Sequence, residues 1–440
     1  MFDLLSPYRI KFSIERTNFS DSFTRICYSQ KRYQIDSNSM NKSNQPEYAE
    51  LILRDPTIDG FNIATFEGKD IKVFGGIEGE VVYAKIFRFR KKRKHHTEAI
   101  VKSIIQPSDK RISAKCSYFL QCTGCQYQHL EYPEQLKIKT QRVENAFKAY
   151  PSLSNVKVCN CIPAENPFEY RNHARFTIRK NGKLGFINRV TKQFIKVDKC
   201  LIMHQKINKI IENLQYKVAE TTQMSIRSGI NTNEYLIQPT FQNPEINLQT
   251  GQTAYTDKLN TIPFRISSPS FFQVNTKQAE KLIQIVEEKL DLKTSQILLD
   301  AYSGVGTFGI TFANKVAKVI AIEYSKPAIS DSQFNAQGVD NITFITDFAQ
   351  NGLEKIEDGI DVAILDPSRS GCDIETIKSV ISKKPQKIAY VSCDPETLAR
   401  DLDIMVNLDY RTNSVQPVDM FPQTSHIECI SILEPMLSKV

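Results

Sequence analysis

At 440 residues the chain has room for roughly two to four domains with sizeable cores, and 57 Lys and Arg against 49 Asp and Glu leave a net charge of +8. That excess is compatible with a polyanionic partner without identifying one. There is no run of apolar residues long enough to cross a bilayer and no secretory leader, so the expectation is a cytoplasmic chain with no membrane contact, whose ten cysteines are not a disulfide framework.

Residues 1–46 include the polar stretch QKRYQIDSNSMNKSNQPEY and read as a loose terminal extension, with Arg9, Lys11, Lys31 and Arg32 as candidate phosphate contacts. From 47 to 107 the pattern changes to short apolar runs, among them ELILRDPTI, FNIATFEG and EGEVVYAKIFRF, separated by Gly, Asp and Lys. Frequent turns between short strands predict a small barrel of the oligonucleotide-binding type. The basic segment FRFRKKRKHH, residues 87–96, then forms a projecting positive hairpin suited to holding phosphates.

Three cysteines follow closely in CSYFLQCTGCQYQHL: Cys116, Cys122 and Cys125. Thiolates two residues apart reach one centre around a tight turn, and Gly124 supplies the turn. Cys200, at the end of FIKVDKC, is the best fourth thiolate, with Cys159 and Cys161 as alternatives. Zinc and a [4Fe–4S] cluster both accept four thiolates, and spacing alone does not separate them.

Helical spacing in LEYPEQLKIKTQRVENAFKAY predicts one long helix over 130–150. Residues 170–200 alternate polar and apolar around an Asn181-Gly182 hairpin turn, and Arg171, Arg175, Arg179, Lys180 and Lys183 give that sheet a positive face. The stretch ILLDAYSGVGTFGITFANKVAKVIAIE, residues 297–323, reads as strand, glycine turn, helix, strand and acid. Its glycines let backbone approach a ligand, and Glu323 can accept from a ribose hydroxyl. A dinucleotide and S-adenosylmethionine both fit that pattern; Asp300 before the turn suits the second, since it can face an amine or a sulfonium. Asp347, Asp366 and Cys393 also fall at strand ends, where an open α/β sheet forms its crevice.

Cys393 is the candidate nucleophile, and its position before a helix is expected to lower its pKa. Carbon 5 of a uracil is too weakly nucleophilic to take a methyl group unaided; thiolate addition at carbon 6 activates it, and a base then removes the proton from carbon 5. Glu428 is the expected base, with His426 second.

Taken together, CSYFLQCTGCQYQH, YRNHARFTIRKNGKLGF, SFFQVN, LDAYSGVGTFG, LDPSRSG, VSCDPETLARDL and DMFPQTSHIE resemble the RNA uracil-5-methyltransferases, in particular the iron–sulfur branch acting on 23S ribosomal RNA. The resemblance spans about 47–440. It implies an α/β, Rossmann-like methyltransferase domain over 261–440, an OB-like TRAM β-barrel over 47–107, and a β-rich central domain over 108–260 whose segment 126–165 packs on the catalytic domain. It further implies a [4Fe–4S] cluster on Cys116, Cys122, Cys125 and Cys200, with Cys393 as nucleophile and Glu428 as proton acceptor. Gln273, Tyr302, Thr307, Glu323, Asp347 and Asp366 correspond to residues lining the S-adenosylmethionine site. Phe271, Asp366 and Arg369 correspond to substrate contacts. The implied partner is RNA, 23S rRNA foremost, bound by a monomer.

The chain departs from the family pattern at three places. Ser368 replaces the second proline after Asp366, Asp394 replaces the usual Asn after the nucleophile, and Gln423 replaces a common His. Asp394 places negative charge beside Cys393, which opposes thiolate formation. Alternative readings are a tRNA T-loop uracil-5-methyltransferase, an RNA cytosine-5 methyltransferase, and a non-catalytic RNA-binding ribosome assembly factor.

Overall fold

The computed structural model describes residues 46–91 and 94–436. The terminal extension, with Arg9, Lys11, Lys31 and Arg32, lies outside the described residues, as do Lys92 and Arg93 of the basic hairpin. Six strands come first: β1 (Tyr48–Ile52), β2 (Arg54–Pro56), β3 (Asn62–Phe66), β4 (Lys69–Phe74), β5 (Val81–Lys91) and β6 (Lys94–Gln106). They form one sheet in the order β1-β5-β6-β4-β3-β2, curled round Leu51, Leu53, Val73, Val82, Ala84 and Val101. Inward positions of β5 alternate with outward ones because strand side chains alternate between faces. The β3–β4 turn uses Glu67 and Gly68, both at positive φ, the backbone a two-residue hairpin requires.

Past the clustered cysteines, α1 (Tyr132–Lys148) begins with a proline in its first turn, where the missing N–H has no cost. It buries Gln135, Lys139, Val143 and Phe147, one residue per turn on one face. The apolar pair contributes about 1.5–3 kcal/mol per side chain. Lys139 pairs with Asp419 with both side chains almost wholly buried. Removing one partner of such a pair costs about 3–5 kcal/mol, because the other charge stays stranded. The strand β7 (Lys157–Val158) follows. Then β8 (His173–Arg179), β9 (Lys183–Ile187), β10 (Phe194–Lys196), α2 (Gln205–Leu214), β11 (Gln223–Ser228) and β12 (Tyr235–Gln238) build a five-stranded sheet ordered β10-β9-β8-β11-β12. Its hairpin turn holds Asn181 and Gly182 at φ 64° and 67°. A Cβ on Gly182 would meet the Tyr216 backbone at 2.7 Å.

The hairpin β13 (Ala254–Leu259) and β14 (Ile262–Ser267) leads to α3 (Thr276–Leu290), capped by the Asn275 side chain. The remaining elements are β15 (Ile297–Asp300), α4 (Thr307–Phe312), β16 (Lys318–Glu323), α5 (Lys326–Asn335), β17 (Ile342–Thr346), α6 (Ala349–Glu354), β18 (Val362–Leu365), α7 (Ile374–Ser382), β19 (Lys387–Ser392), α8 (Pro395–Val406), β20 (Tyr410–Val418) and β21 (Glu428–Pro435). Eight strands form one sheet in the order β17-β16-β15-β18-β19-β21-β20-β7. β17, β16, β15, β18 and β19 are parallel; the inner four are largely buried on both faces, which is why their sequences are near-continuous apolar runs, whereas the edge strand β17 is only partly covered. β21 joins antiparallel to β19, and β7, from the segment before the central sheet, pairs with β20. The chain leaves β15 toward β16 on one side and reaches β18 on the other, so the ligand crevice of this sheet opens between Asp300 and Asp366. Among the described residues no helix is long and apolar enough to cross a membrane.

Candidate active site

The glycine turn after β15 is held from both sides by acids. Glu323 Oε2 accepts from Gly304 N at 3.0 Å and its Oε1 from Ser325 N at 2.7 Å, so the acid shapes the loop before it meets any ligand. Asp300 Oδ2 accepts from Gly309 N at 2.9 Å. Gly306 has φ 92°, and a Cβ there would strike Ile310 at 2.3 Å, whereas one on Gly304 would project into open space. Asp300 Oδ1 and Ser303 Oγ are buried without a hydrogen-bond partner. Such orphan atoms are rare in folded proteins, and their placement at the turn fits a ligand carrying its own donors. Burial pushes the Asp300 carboxyl up to about 7, with the nearby Glu323 charge adding to it.

Other candidates around the turn are already engaged. Tyr302 OH lies 3.4 Å from Cys372 Sγ. Asp347 accepts from Phe348 N and Asn351 and pairs with Lys355. Thr307 opens α4, and the Gln273 carbonyl accepts from Asn172. Neither Tyr324 nor Phe348 stood out in the sequence. They directly follow Glu323 and Asp347, are exposed, and stack with centroids 5.2 Å apart. That signal was available: an aromatic one step past each acid at a strand end.

The expected reacting groups gather just past the ends of β18 and β19 and at the start of β21. Ser392 pairs with Cys429 at the last rung of the β19–β21 ladder; Cys393 follows the first and Glu428 precedes the second, close enough for the Glu428 charge to act on the thiol. The Cys393 thiol is pushed up to about 12, first by burial and then by the charges of Glu428 and Asp366; Arg369 pulls the other way and Asp394 adds to the rise. The lowered pKa expected from the helix start is therefore overturned. The partial positive charge at the first turn of α8 is outweighed by desolvation and three carboxyl groups. Glu428 is fully buried and held well above the usual carboxylate range by burial and Asp366, and burial together with Asp300 raises Asp366. His426 is pushed down to about 4 by burial and by Arg369. Its Nδ1 lies 2.9 Å from Arg369 Nη2. Of the paired aromatics before α3, Phe272 is buried while Phe271 is 69% exposed and free to stack on a base.

The loop that carries His426 and leads into Glu428 is braced by the segment just after the third clustered cysteine. Gln126 N and Tyr127 N both donate to the Gln423 carbonyl, at 2.9 and 3.0 Å. Gln135 exchanges hydrogen bonds with Gln423, and Gln126 Oε1 accepts from Ser425 N. Lys139 donates to the Phe421 carbonyl, and Tyr132 OH to Asp419.

Cys116, Cys122, Cys125 and Cys200 line one cavity of about 460 Å³, which extends to Arg171 and His426. All nine described cysteines are free thiols. Burial raises the thiols of Cys122, Cys125 and Cys200, and charge on neighbouring members of the quartet raises each of them further. Among the described residues no three His, Cys, Asp or Glu side chains are gathered tightly enough to hold a single metal ion. Cys159 and Cys161 lie elsewhere, beside β20 and α1.

The family model for tRNA (uracil-5-)-methyltransferases matches residues 255–436. An uncharacterized RNA methyltransferase of Caldanaerobacter subterraneus is 31% identical across 90% of this chain and 100% of its own length. One from Clostridium acetobutylicum is 32% identical across 85% of this chain and 94% of its own. The crystal structure of Pyrococcus abyssi tRNA (uracil-54, C5)-methyltransferase in complex with S-adenosyl-L-homocysteine is similar with a TM-score of 0.68 and 25% identity, covering 87% of this chain and 99% of that one.

Proposed function

The chain belongs to the tRNA (uracil-5-)-methyltransferase family, and on that premise we propose that it methylates carbon 5 of a uridine in 23S rRNA, with Cys393 as nucleophile and Glu428 as proton acceptor. It is an S-adenosylmethionine-dependent RNA (uracil-5-)-methyltransferase with the α/β fold of that family. The observation that carries the residue roles is the Cys393–Glu428 juxtaposition beside Asp366 at the sheet's switch point.

The Cys393 thiol gives its proton to solvent, the thiolate sulfur bonds to carbon 6, and the electron pair of the 5,6 double bond moves toward carbon 5 and the adjoining carbonyl. S-adenosylmethionine supplies an electrophilic methyl group. Carbon 5 takes that methyl as the donor's sulfur–methyl bond breaks and its electron pair stays on sulfur, leaving a neutral thioether, and carbon 5 now holds both the methyl and the original hydrogen. Glu428 accepts the hydrogen as a proton, the pair re-forms the double bond, and the carbon 6–sulfur bond breaks to free Cys393. Burial keeps Glu428 a strong enough base to take a carbon-bound proton once its own has been shed. The target must leave its stack to reach Cys393, and exposed Phe271 offers a ring to receive it. Gln273, Tyr302, Thr307, Glu323, Asp347 and Asp366 are read as the methyl-donor site, and Asp366 and Arg369 as further contacts to the uracil.

A [4Fe–4S] cluster on Cys116, Cys122, Cys125 and Cys200 is proposed because the four thiols line one cavity and such clusters are held by Cys thiolates. Burial and neighbouring thiol charge raise Cys122, Cys125 and Cys200, a penalty that a cationic centre would remove. Residues 47–107 are read as a TRAM barrel and, with Arg171, Arg175 and the β5–β6 hairpin, as the grip on flanking RNA. Cluster and barrel support rRNA as substrate. The Pyrococcus abyssi relative supports a second reading, the T-loop of tRNA. Mapping 5-methyluridine in RNA from a deletion strain decides between them. RNA carrying 5-fluorouridine tests the chemistry: wild type should form a covalent adduct and Cys393→Ala none, and an adduct surviving in that variant would rule out this nucleophile.

A further inference from the structure

Cys393 sits on the loop between β19 and α8, Glu428 opens β21 directly after the loop from β20, and a side chain from α1 touches both loops. Arg142 grips Glu396 with two parallel bonds, Nε to Oε1 at 3.0 Å and Nη2 to Oε2 at 2.6 Å. Its Nη1 donates to the Ser425 carbonyl at 3.1 Å, three residues before Glu428. The same Nη2 lies 3.7 Å from Asp394 Oδ2, next to Cys393. Arg369 makes a second bridge: its Nε lies 3.5 Å from that same Asp394 oxygen while its Nη2 reaches His426. Asp394 is thus the shared anchor of two arginines, each spanning from the nucleophile's turn to the acceptor's loop. The amide usual in the family at this place would bring no charge to either.

We propose that Arg142 is a positioning residue for methyl transfer, setting the separation of Cys393 and Glu428 through Asp394, Glu396 and the Ser425 carbonyl. The proposal rests on the roles given above to Cys393 and Glu428. A planar guanidinium holding a carboxylate by two bonds fixes orientation as well as distance, which an ammonium cannot. At 11% side-chain exposure Arg142 is little screened by solvent. Carbon 5 and carbon 6 are bonded neighbours, so a small drift of one loop against the other separates the two reacting groups from their targets. A misplacement of about 1 Å is enough to cost on the order of 100-fold in rate.

The test uses the full chain, purified anaerobically, as wild type, Arg142→Gln and Arg142→Lys. Arg142→Gln should lower kcat by about 10- to 100-fold, leave KM for S-adenosylmethionine within about twofold, and raise the fraction of RNA trapped as a methylated covalent complex. Arg142→Lys should recover only part of kcat. The brace is overturned if Arg142→Gln turns over within about twofold of wild type. It is equally overturned if adduct formation, methylation and folded fraction fall together with no trapped complex, which would make Arg142 a purely structural tie. The Cys393→Ala control separates the two levels: an adduct in that variant sinks the underlying roles, whatever Arg142 does.

Discussion

Ser392 and Cys429 form the last rung of the β19–β21 ladder, so Cys393, directly after Ser392, and Glu428, directly before Cys429, leave the same end of one antiparallel pair. In the proposed mechanism these two groups meet the edge of a pyrimidine, one to bond carbon 6 and the other to take a proton from carbon 5. The antiparallel strand β21, added beside an otherwise parallel run, is what delivers the acceptor.

Replacing that acceptor should divide the reaction in two. Glu428→Gln keeps size and hydrogen bonding but cannot take the proton, so addition and methylation proceed while release stalls. Multiple turnover should fall about 10²- to 10⁴-fold and a methylated protein–RNA species should build up on denaturing gels. Undiminished multiple turnover in this variant would remove Glu428 from the mechanism.

The raised Cys393 thiol makes a pH statement about the RNA-free protein. With its pKa pushed up to about 12, the thiolate is scarce at neutral pH and grows about tenfold per pH unit on the way up. Alkylation mapped to Cys393 by peptide mass should therefore be slow at pH 7 and climb without a plateau through pH 10. Asp394→Asn, by removing one opposing charge, should speed it at each pH. A plateau near neutrality would show a thiolate already formed.

Metal content tests the cysteine quartet. Anaerobically purified protein should carry iron and sulfide each near about four per chain, and Cys200→Ser should lower both together. Stoichiometric zinc without sulfide would replace the cluster reading with a zinc site. Because Gln126 and Tyr127, directly after Cys125, hold the Gln423 carbonyl, the Cys200→Ser chain should also exchange backbone hydrogens faster across 421–427.

Local pattern alone accounts for much of this protein. The strand–turn–helix–strand run at 297–323 is legible because apolar period, glycines and the closing acid all fall within about 25 residues. The Asn181-Gly182 hairpin and the spacing of Cys116, Cys122 and Cys125 are legible for the same reason. Tertiary structure alone decided the rest. The helix start after Cys393 predicted a lowered pKa, and the thiol is raised instead, because Asp366 and Glu428 arrive from strands 27 positions before it and 35 after it and are buried with it. Arg142 carries no local mark of its role; it reaches Asp394 and Ser425 only because α1 packs against α8 and the loop before β21. Periodicity and turn chemistry act between near neighbours along the chain, whereas charge, desolvation and strand register act between whatever the fold brings into contact.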